Sequence, residues 1–113
     1  MKSKYLNKKT DYDGIVFDSK KELKKWLDYK DLEEKGEIKD LKRQVEYVLI
    51  EKFKLNGKTY RKTSYLADFT YVSTKDGKLH VVDVKSPYTR KNPVYRLKKK
   101  LMAYLFQIEV EEV

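Results

Sequence analysis

Two dipeptides in the middle of the chain, Asn56-Gly57 and Asp76-Gly77, are of the type that forms tight β-hairpin turns, because these residues tolerate the positive φ that such turns need. Residues typical of strands flank both dipeptides. They run from Val45 to Leu55, from about Thr59 to Ser73 and from Leu79 to Lys85. The pattern predicts three antiparallel strands joined as a meander.

Helical patterns lie on either side of these strands. Ser19 precedes an imperfect amphipathic stretch that stops at Gly36, which predicts a helix over about residues 19–35. Asn92-Pro93 combines a capping residue with proline at the first helical position, which predicts a second helix over about residues 93–106. The apolar residues of the first helix are Leu23, Trp26, Leu27 and Leu32. The apolar stripe of the second consists of Val94, Leu97, Leu101, Tyr104 and Leu105.

The ends of the chain complete the order of elements. Residues 1–16 are basic and then acidic without sustained periodicity, so we expect a basic arm or an irregular lead-in. The alternation around Ile108 and Val110 suits one further strand. The predicted order is α-β-β-β-α-β in a single α/β domain over residues 1–113, with a mixed sheet flanked by helices, since a chain of 113 residues has room for one domain.

The charge balance and the residues that are absent narrow the classes of function. The chain has 27 Lys and Arg against 18 Asp and Glu, a formal net charge of +9, which favours a polyanionic partner. The absence of cysteine excludes disulfides, thiolate zinc sites and thiol nucleophiles, and no glycine-rich phosphate-binding loop is present. The N-terminus is basic but lacks the apolar stretch of a secretory signal, so we expect a soluble, cytoplasmic protein.

A two-residue turn at Asp76-Gly77 brings charged side chains together on neighbouring strands. It would pair Asp68 with Lys85 and place Asp83 on the same face as the diagonal neighbour of Asp68. A cross-strand Asp–Lys ion pair could be purely structural, but a second carboxylate beside it favours a bound divalent cation such as Mg²⁺. Val82, Val84, Ala67 and Phe69 are predicted to point to the other face. The rest of the charged face is apolar and expected to lie under a helix: Leu66, Val72, Leu79 and Val81.

Glu22 is a fourth candidate. It borders the apolar stripe near the first turn of the first helix, where its carboxylate could join the acidic pair. Ser19 and Glu22 also have the spacing of a capping box, in which the glutamate returns to the backbone of the cap. The only histidine, His80, is predicted to face away from the acidic pair as a structural or surface residue.

Basic residues are concentrated between Ser86 and Leu101, with no acidic residue among them and with Tyr88 and Tyr95 interleaved. A run of this kind is either a solvated face or a surface that binds the phosphates of a nucleic acid. The predicted nucleic-acid contacts are Arg90, Lys91, Arg96, Lys98, Lys99 and Lys100, together with Lys8 and Lys9 from the N-terminal arm.

The motif formed by Asp68, by Asp83-Val84-Lys85 about fifteen residues later, and by Glu22 on a leading helix resembles that of the PD-(D/E)xK nuclease superfamily. The order of elements resembles the restriction-endonuclease-like core of that superfamily. Ala67 stands where the motif has proline, a position that supplies no ligand. The chain also resembles small endonucleases encoded by phages and prophages, some described as junction-resolving or recombination nucleases. The stretches that carry this narrower resemblance are Asp13-Gly14, Phe17-Asp18-Ser19-Lys20-Lys21-Glu22, Gly57-Lys58-Thr59-Tyr60-Arg61-Lys62 and Asp83-Val84-Lys85.

The resemblance implies that Asp68 and Asp83 ligate Mg²⁺ or Mn²⁺, with the carbonyl of Val84 as a further ligand. Glu22 would hold a metal-bound water. Lys85 would orient or deprotonate the attacking water or stabilise the charge of the transition state. The implied function is metal-dependent DNA endonuclease activity, with Glu22, Asp68, Asp83 and Lys85 as catalytic residues.

Three further expectations accompany this function. The substrate would be branched DNA or another recombination intermediate, and the chain would be the product of a phage or prophage in a bacterial host. A homodimer is expected from size, because one small domain offers a single cutting centre. The alternative function is a non-catalytic nucleic-acid-binding module with a basic surface, in which the acidic cluster only supports the sheet.

Overall fold

The structure is a computed structural model that describes residues 9–113. It is a mixed α/β fold in which three helices pack on a four-stranded sheet of order β3-β6-β7-β8. The helices are α1 (Lys20–Glu34), α2 (Pro87–Arg90) and α3 (Pro93–Phe106). The strands are β1 (Thr10–Tyr12), β2 (Ile15–Phe17), β3 (Ile38–Ile50), β4 (Phe53–Leu55), β5 (Lys58–Tyr60), β6 (Thr63–Ser73), β7 (Leu79–Asp83) and β8 (Glu111–Glu112).

The predicted meander forms the centre of the sheet. β6 pairs antiparallel with β3 on one side and with β7 on the other, and the short β8 adds a parallel strand next to β7. The predicted turn at Asn56-Gly57 is present, with φ of 50° and 76°. It joins a separate two-stranded hairpin, because residues 51–52 and 61–62 interrupt the first two predicted strands. The sheet itself begins earlier than predicted, at Ile38 rather than Val45.

The predicted two-residue turn at Asp76-Gly77 is wrong. Phe69 pairs with Val82 and Val72 with Leu79. The loop therefore consists of residues 74–77, and Ser73 and Lys78 face each other on either side of it. The Ser73 amide donates a hydrogen bond to the carbonyl of Lys78 at 3.0 Å. The actual register differs from the predicted one by two residues, and an even shift keeps every side chain on its face of the sheet. If the observed pairing is continued by one residue beyond Phe69 and Val82, Asp68 lies opposite Asp83 and not opposite Lys85.

Both predicted helices are confirmed, with the predicted capping residues. Ser19 Oγ accepts a hydrogen bond from the Glu22 amide, and Asn92 Oδ1 accepts bonds from the first amides of α3. The short helix α2 was not predicted. The third predicted strand ends at Asp83, two residues earlier than expected, and Ser86 caps α2.

The predicted irregular lead-in is wrong for residues 10–16. β1 and β2 form a hairpin around Asp13-Gly14, whose φ values of 51° and 78° suit a tight turn. Phe17, at the end of β2, is fully buried and lies 6.2 Å from Trp26 of α1. Residues 1–8, which were expected to begin the basic arm, lie outside the described part of the chain. A final strand is present, but it is β8 at Glu111–Glu112 and not the predicted stretch around Ile108 and Val110, which precedes it outside any strand.

Two apolar clusters hold the helices to the sheet. One joins Tyr95 and Met102 of α3 to Tyr65 and Val81, and the other packs Tyr29 of α1 with further residues of the sheet. Phe69 and Val82 share the α1 cluster with the partly buried Val84, as predicted, whereas Ala67 belongs to the α3 cluster with Val81. No helix in residues 9–113 is long and apolar enough to cross a membrane.

The predicted apolar faces are wrong in part. On α3, Val94, Leu97, Tyr104 and Leu105 are exposed, because the helix instead presents Tyr95 and Met102 to the sheet. Helical spacing identifies several apolar faces of this helix but not the one that the sheet covers. Three other residues expected to be covered, Leu27, Leu66 and Leu79, are also exposed.

Candidate functional site

The site is built around two acidic residues on neighbouring strands. Asp68 lies in the first half of β6 and Asp83 is the last residue of β7, with 1% of its surface exposed. Oδ2 of Asp68 accepts a hydrogen bond of 2.8 Å from the Val84 amide. Oδ2 of Asp83 accepts one of 2.5 Å from the Tyr65 hydroxyl. The carboxylates that sequence analysis expected as neighbours are therefore held side by side.

The pair is electrostatically unfavourable without a cation. Burial, and after it the neighbouring Asp83 carboxyl group, raise the pKa of Asp68 above its usual range, while the amide of Val84 acts in the opposite direction. Oδ1 of Asp83 is buried and has no hydrogen-bond partner among the described residues. A buried oxygen of this kind is costly unless something else neutralises it.

Among residues 9–113, Lys85 is the cation at ion-pair distance from the acidic pair. Its Nζ lies 3.3 Å from Asp83 Oδ1, at ion-pair distance but without hydrogen-bond geometry, and 4.8 Å from the centre of the Tyr95 ring. The prediction that Lys85 lies opposite Asp68 is wrong, because the register of β6 and β7 differs from the predicted one. Lys85 is nevertheless two residues after Asp83 and therefore lies on the same face of the sheet. The backbone amide of Lys85 bonds to the carbonyl of Val113, which ties the C-terminus to this edge of the site.

Glu22 is buried beside the pair and contributes to the raised pKa of Asp68. Its Oε1 lies 3.3 Å from Gln44 Nε2 and 3.5 Å from Arg43 Nη2. Burial is the main reason that the pKa of Glu22 is raised, and Arg43 and Gln44 lower it. The Ser19 half of the capping box is formed, but the carboxylate makes its contacts with β3.

Several contacts of the site were not predicted. Gln44 reaches Glu22 from a residue of β3 with a φ of 55°, a backbone irregularity that no sequence pattern marked. Arg43 also lies 4.6 Å from the centre of the Phe17 ring. Tyr65 was interpreted only as part of a strand, although its position three residues before Asp68 could have drawn attention to it.

The oxygen atoms of the site determine which metal ion it could coordinate. In the part of the chain that the structure describes, no group of three or more His, Cys, Asp or Glu side chains is arranged to hold a metal. The set is therefore limited to Asp68, Asp83 and backbone oxygens such as that of Val84. Mg²⁺ suits such a set, because it usually binds one or two carboxylates and keeps several waters or substrate phosphate oxygens. The buried, unpaired Oδ1 of Asp83 fits this role.

A cleft of about 400 Å³ gives access to the site. It is lined by Tyr65, Asp83, Lys85, Tyr95 and Lys98, among others. Two lysines and two aromatic rings therefore face the same space. Asp68 does not line this cleft but lies on the adjoining strand.

The basic residues predicted to bind nucleic acid are divided by α3. Lys98 lines the cleft beside Asp83. Arg90, Arg96, Lys99 and Lys100 line a second groove of about 750 Å³, which Glu109 and Glu112 share. Glu112 lies 3.8 Å from Arg90 and 3.4 Å from Lys99, so the run that is free of acids in sequence is partly neutralised in space. Lys9 and Lys91 are exposed, and Lys8 lies outside residues 9–113.

His80 lies apart from this cluster. Its Nδ1 is 2.6 Å from Oε2 of Glu111, and its ring stacks on Tyr71 at 4.9 Å. Neither contact involves a residue of the acidic pair.

Comparison with protein families matches residues 2–112 to a family described as "Protein of unknown function (DUF1064)". No curated protein and no solved structure matches the chain significantly. The family match spans almost the whole sequence and therefore includes every residue of the site. The chain belongs to the DUF1064 family.

Proposed function

We propose that this protein is a Mg²⁺- or Mn²⁺-dependent DNA endonuclease of the PD-(D/E)xK type. The observation that carries the proposal is the pairing of Asp68 and Asp83 on neighbouring strands, with Lys85 beside them and a buried carboxylate oxygen that lacks a hydrogen-bond partner. Two adjacent carboxylates repel one another, and a divalent cation would remove this repulsion.

The architecture supports the proposal. A helix, three antiparallel strands, a second long helix and a short parallel strand follow one another, and the acidic residues lie on the two central strands. This order is the one expected of a restriction-endonuclease-like core. The additional β1–β2 hairpin, β4–β5 hairpin and α2 leave the order of the core unchanged.

Each residue has a separate task in the proposed reaction. Asp68 and Asp83 would hold the cation, with the Val84 carbonyl as a further ligand. When bound, such a cation would lower the pKa of a coordinated water and polarise the phosphoryl oxygen. Lys85, 3.3 Å from Asp83 Oδ1, would orient the attacking water or stabilise negative charge on the phosphate. Glu22 would accept a hydrogen bond from a water next to Asp68, using the oxygen that Gln44 and Arg43 leave free.

The substrate would be DNA, with Lys98 contacting a phosphate within the cleft. The other basic residues, Lys9, Lys91, Arg96 and Lys100 among the described ones, would contribute longer-range attraction to a polyanion. Cleavage of both strands or of a branched intermediate would require two such centres, so we propose a homodimer on DNA.

The test is cleavage of supercoiled, linear and four-way-junction DNA by the wild type and by Asp83→Ala, with Mg²⁺, with Mn²⁺ and with EDTA. We expect the wild type to cut with metal and Asp83→Ala not to cut. Asp76→Ala is the matched control, because Asp76 is an exposed acid of a loop. Equal cleavage by the wild type and Asp83→Ala would show that a contaminant cuts.

One observation favours the alternative, a non-catalytic nucleic-acid-binding module. Tyr65, Val84 and Lys85 all partner the acidic pair, and residues 9–113 hold no third acidic side chain in metal-binding geometry. A shared proton between the two acids would then stabilise the sheet without any metal. In that case DNA binding survives EDTA and Asp68→Ala, and no substrate is cut in any buffer.

A further inference from the structure

The hairpin of β4 and β5 stands apart from the sheet. We call residues 51–62 the β4–β5 arm. Its strands pair Phe53 with Tyr60 and Leu55 with Lys58, and every residue from 50 to 62 is exposed. An isolated two-stranded hairpin is only marginally stable in water, so an exposed one of this kind gains most from a partner.

The arm is strongly basic and carries aromatic rings. It contains five Lys or Arg residues against one acid, Glu51. The rings of Phe53 and Tyr60 stack with centres 4.7 Å apart, and Lys58 Nζ lies 5.2 Å from the centre of the Tyr60 ring. The stack stiffens the arm from within, while its cations remain at the surface. The basic residues are Lys52, Lys54, Lys58, Arg61 and Lys62.

Charge decides which partner fits. Apolar side chains such as Phe53 and Leu55 are about half exposed and could in principle cover a second copy of the chain. Two copies would, however, bring two basic arms together on chains that each carry a net charge of +9. A polyanion instead gains from every cation on the arm by releasing counterions. A two-stranded ribbon also has the width that the major groove of duplex DNA admits.

The position of the arm agrees with this partner. β6 leaves the arm at Thr63 and reaches Asp68 five residues later, and β7 ends at Asp83 at the same end of the sheet. At about 3.3 Å per residue along a strand, the base of the arm lies roughly 17 Å from the acidic pair. One duplex could therefore contact the arm and the cleft together. The side chain of Lys62, at the base, is also tied to Glu46 at 3.1 Å.

We propose that the β4–β5 arm binds duplex DNA by lying in the major groove, with its lysines on the flanking phosphates, beside the position where the acidic pair acts. The inference rests on the proposed function for the identity of the polyanion. It adds a contact that neither the proposed catalytic residues nor the basic residues predicted to bind nucleic acid supply.

The experiment compares two double variants with the wild type in EDTA, where no cleavage occurs. Lys54→Gln with Lys58→Gln removes two charges from the arm. Lys75→Gln with Lys78→Gln removes two from the exposed loop at the opposite end of the sheet and is the matched control. Fluorescence anisotropy measures the affinity for a labelled duplex over a series of salt concentrations. Methylation of guanine N7 by dimethyl sulfate reports occupation of the major groove.

We expect the arm variant to bind the duplex about tenfold more weakly at about 0.1 M salt. The negative slope of log affinity against log salt should become shallower by about 2. The wild type should protect guanine N7, and the arm variant should protect it less. The control should resemble the wild type. Equal affinity and slope for the arm variant and the control would overturn the proposal, and so would guanines left unprotected by the wild type.

Two further results separate this proposal from the proposed function. If the arm variant loses affinity but the wild type cuts no DNA with metal, the arm stands and the endonuclease fails. If the wild type cuts and the arm variant binds and cuts equally well, the arm fails and the endonuclease stands. Sedimentation completes the test, because a dimer that dissociates only in the arm variant would show that the arm contacts a second copy, which overturns DNA binding by the arm.

Discussion

The hydroxyl of Tyr65 on β6 donates a 2.5 Å hydrogen bond to Oδ2 of Asp83 on the neighbouring strand β7. This bond fixes one oxygen of a carboxylate that is 99% buried, while the other, Oδ1, has no hydrogen-bond partner in residues 9–113. The two oxygens of Asp83 therefore differ in their surroundings. Oδ2 is committed to the fold, and Oδ1 remains for Lys85 or a cation.

Replacing Tyr65 by phenylalanine would remove this bond and leave a second buried oxygen unpaired. We expect Tyr65→Phe to lower the free energy of unfolding by about 1–3 kcal/mol, the usual cost of an unsatisfied buried polar group. Urea denaturation in EDTA measures the change. Tyr104→Phe, at a side chain that is 78% exposed, should leave stability within about 0.5 kcal/mol. Equal stability of the two variants would contradict a structural role for the bond.

Asp68→Asn should stabilise the metal-free protein. Because burial and Asp83 raise the pKa of Asp68, the wild type loses stability as the pH rises above the ordinary pKa of an aspartate, near 4, and toward the raised folded value. Asparagine keeps an oxygen for the Val84 amide without a charge. At pH 7 we expect a gain of at least about 1 kcal/mol, since each pKa unit corresponds to about 1.4 kcal/mol. The gain should vanish near pH 4.

A pH series of urea denaturation curves in EDTA checks this prediction. Asp76→Asn is the control, because hydrogen bonding to the Lys78 amide lowers the pKa of Asp76 and the expected effect has the opposite sign. An Asp68→Asn protein that is less stable than the wild type at pH 7 would show that the acidic pair is not repulsive in the fold.

Metal should stabilise the wild type more than Asp68→Asn. Mn²⁺ that binds the folded wild type stabilises it by about 2.7 kcal/mol at a concentration 100 times the dissociation constant. We expect a much smaller gain for Asp68→Asn, because the variant retains only one of the two carboxylates that would hold the ion. Thermal unfolding with and without Mn²⁺ measures the difference. A gain of the same size in both proteins would place the ion elsewhere.

The parts of the fold that depend on neighbours in sequence could be predicted. Ser19 and Asn92 begin their helices as expected, because a cap needs only its own side chain and the next amides. The turn at Asn56-Gly57 is equally local. The prediction of a two-residue turn at Asp76-Gly77 was wrong. In the longer loop that forms instead, Asp76 accepts a hydrogen bond from the Lys78 amide, and the dipeptide alone does not distinguish between these two local arrangements.

The prediction that Asp68 and Asp83 lie close together still holds, because a register shift of two residues leaves each side chain on the same face of the sheet. The contacts made by long-range packing could not be predicted. Tyr65 reaches Asp83 across strands, and Gln44 reaches Glu22 from an irregular residue of β3. The face of α3 that covers the sheet also depends on the whole assembly, because apolar residues lie on several of its sides.

Lys85 is predicted to act in the chemical step. Lys85→Met should lower the single-turnover rate of cleavage by about 10²- to 10⁴-fold, the usual contribution of a positioned acid–base group. Stabilisation by Mn²⁺ should persist, because both carboxylates remain. Lys98→Met, in the same cleft, is the control and should weaken DNA binding with little effect on the rate at saturation. A Lys85→Met protein that cuts at the wild-type rate would remove Lys85 from the mechanism.

The bond between the Tyr95 hydroxyl and Glu112, 2.7 Å long, should make the end of the chain sensitive to acid. This bond is the main reason that the pKa of Glu112 is lowered, with Lys99 and Arg90 adding to the effect. Because the folded pKa lies below the unfolded one, the stabilisation is present above the ordinary pKa of a glutamate and is lost as the pH falls through the folded value. Tyr95→Phe should therefore cost about 1 kcal/mol at pH 7 and clearly less at pH 3.

The pairwise part of that cost can be isolated with Glu112→Gln and the double variant. If the hydroxyl acts through Glu112, Tyr95→Phe should cost less in the Glu112→Gln protein than in the wild type, and the difference is their coupling energy. Because the hydroxyl joins α3 to β8, which itself lies next to β7, loss of the bond should also loosen the strand beside Asp83. Amide hydrogen exchange at Val113, whose N–H bonds to the Asp83 carbonyl at 3.0 Å, measures this effect. Unchanged exchange at Val113 in Tyr95→Phe would show that the C-terminal strand holds the site without help from α3.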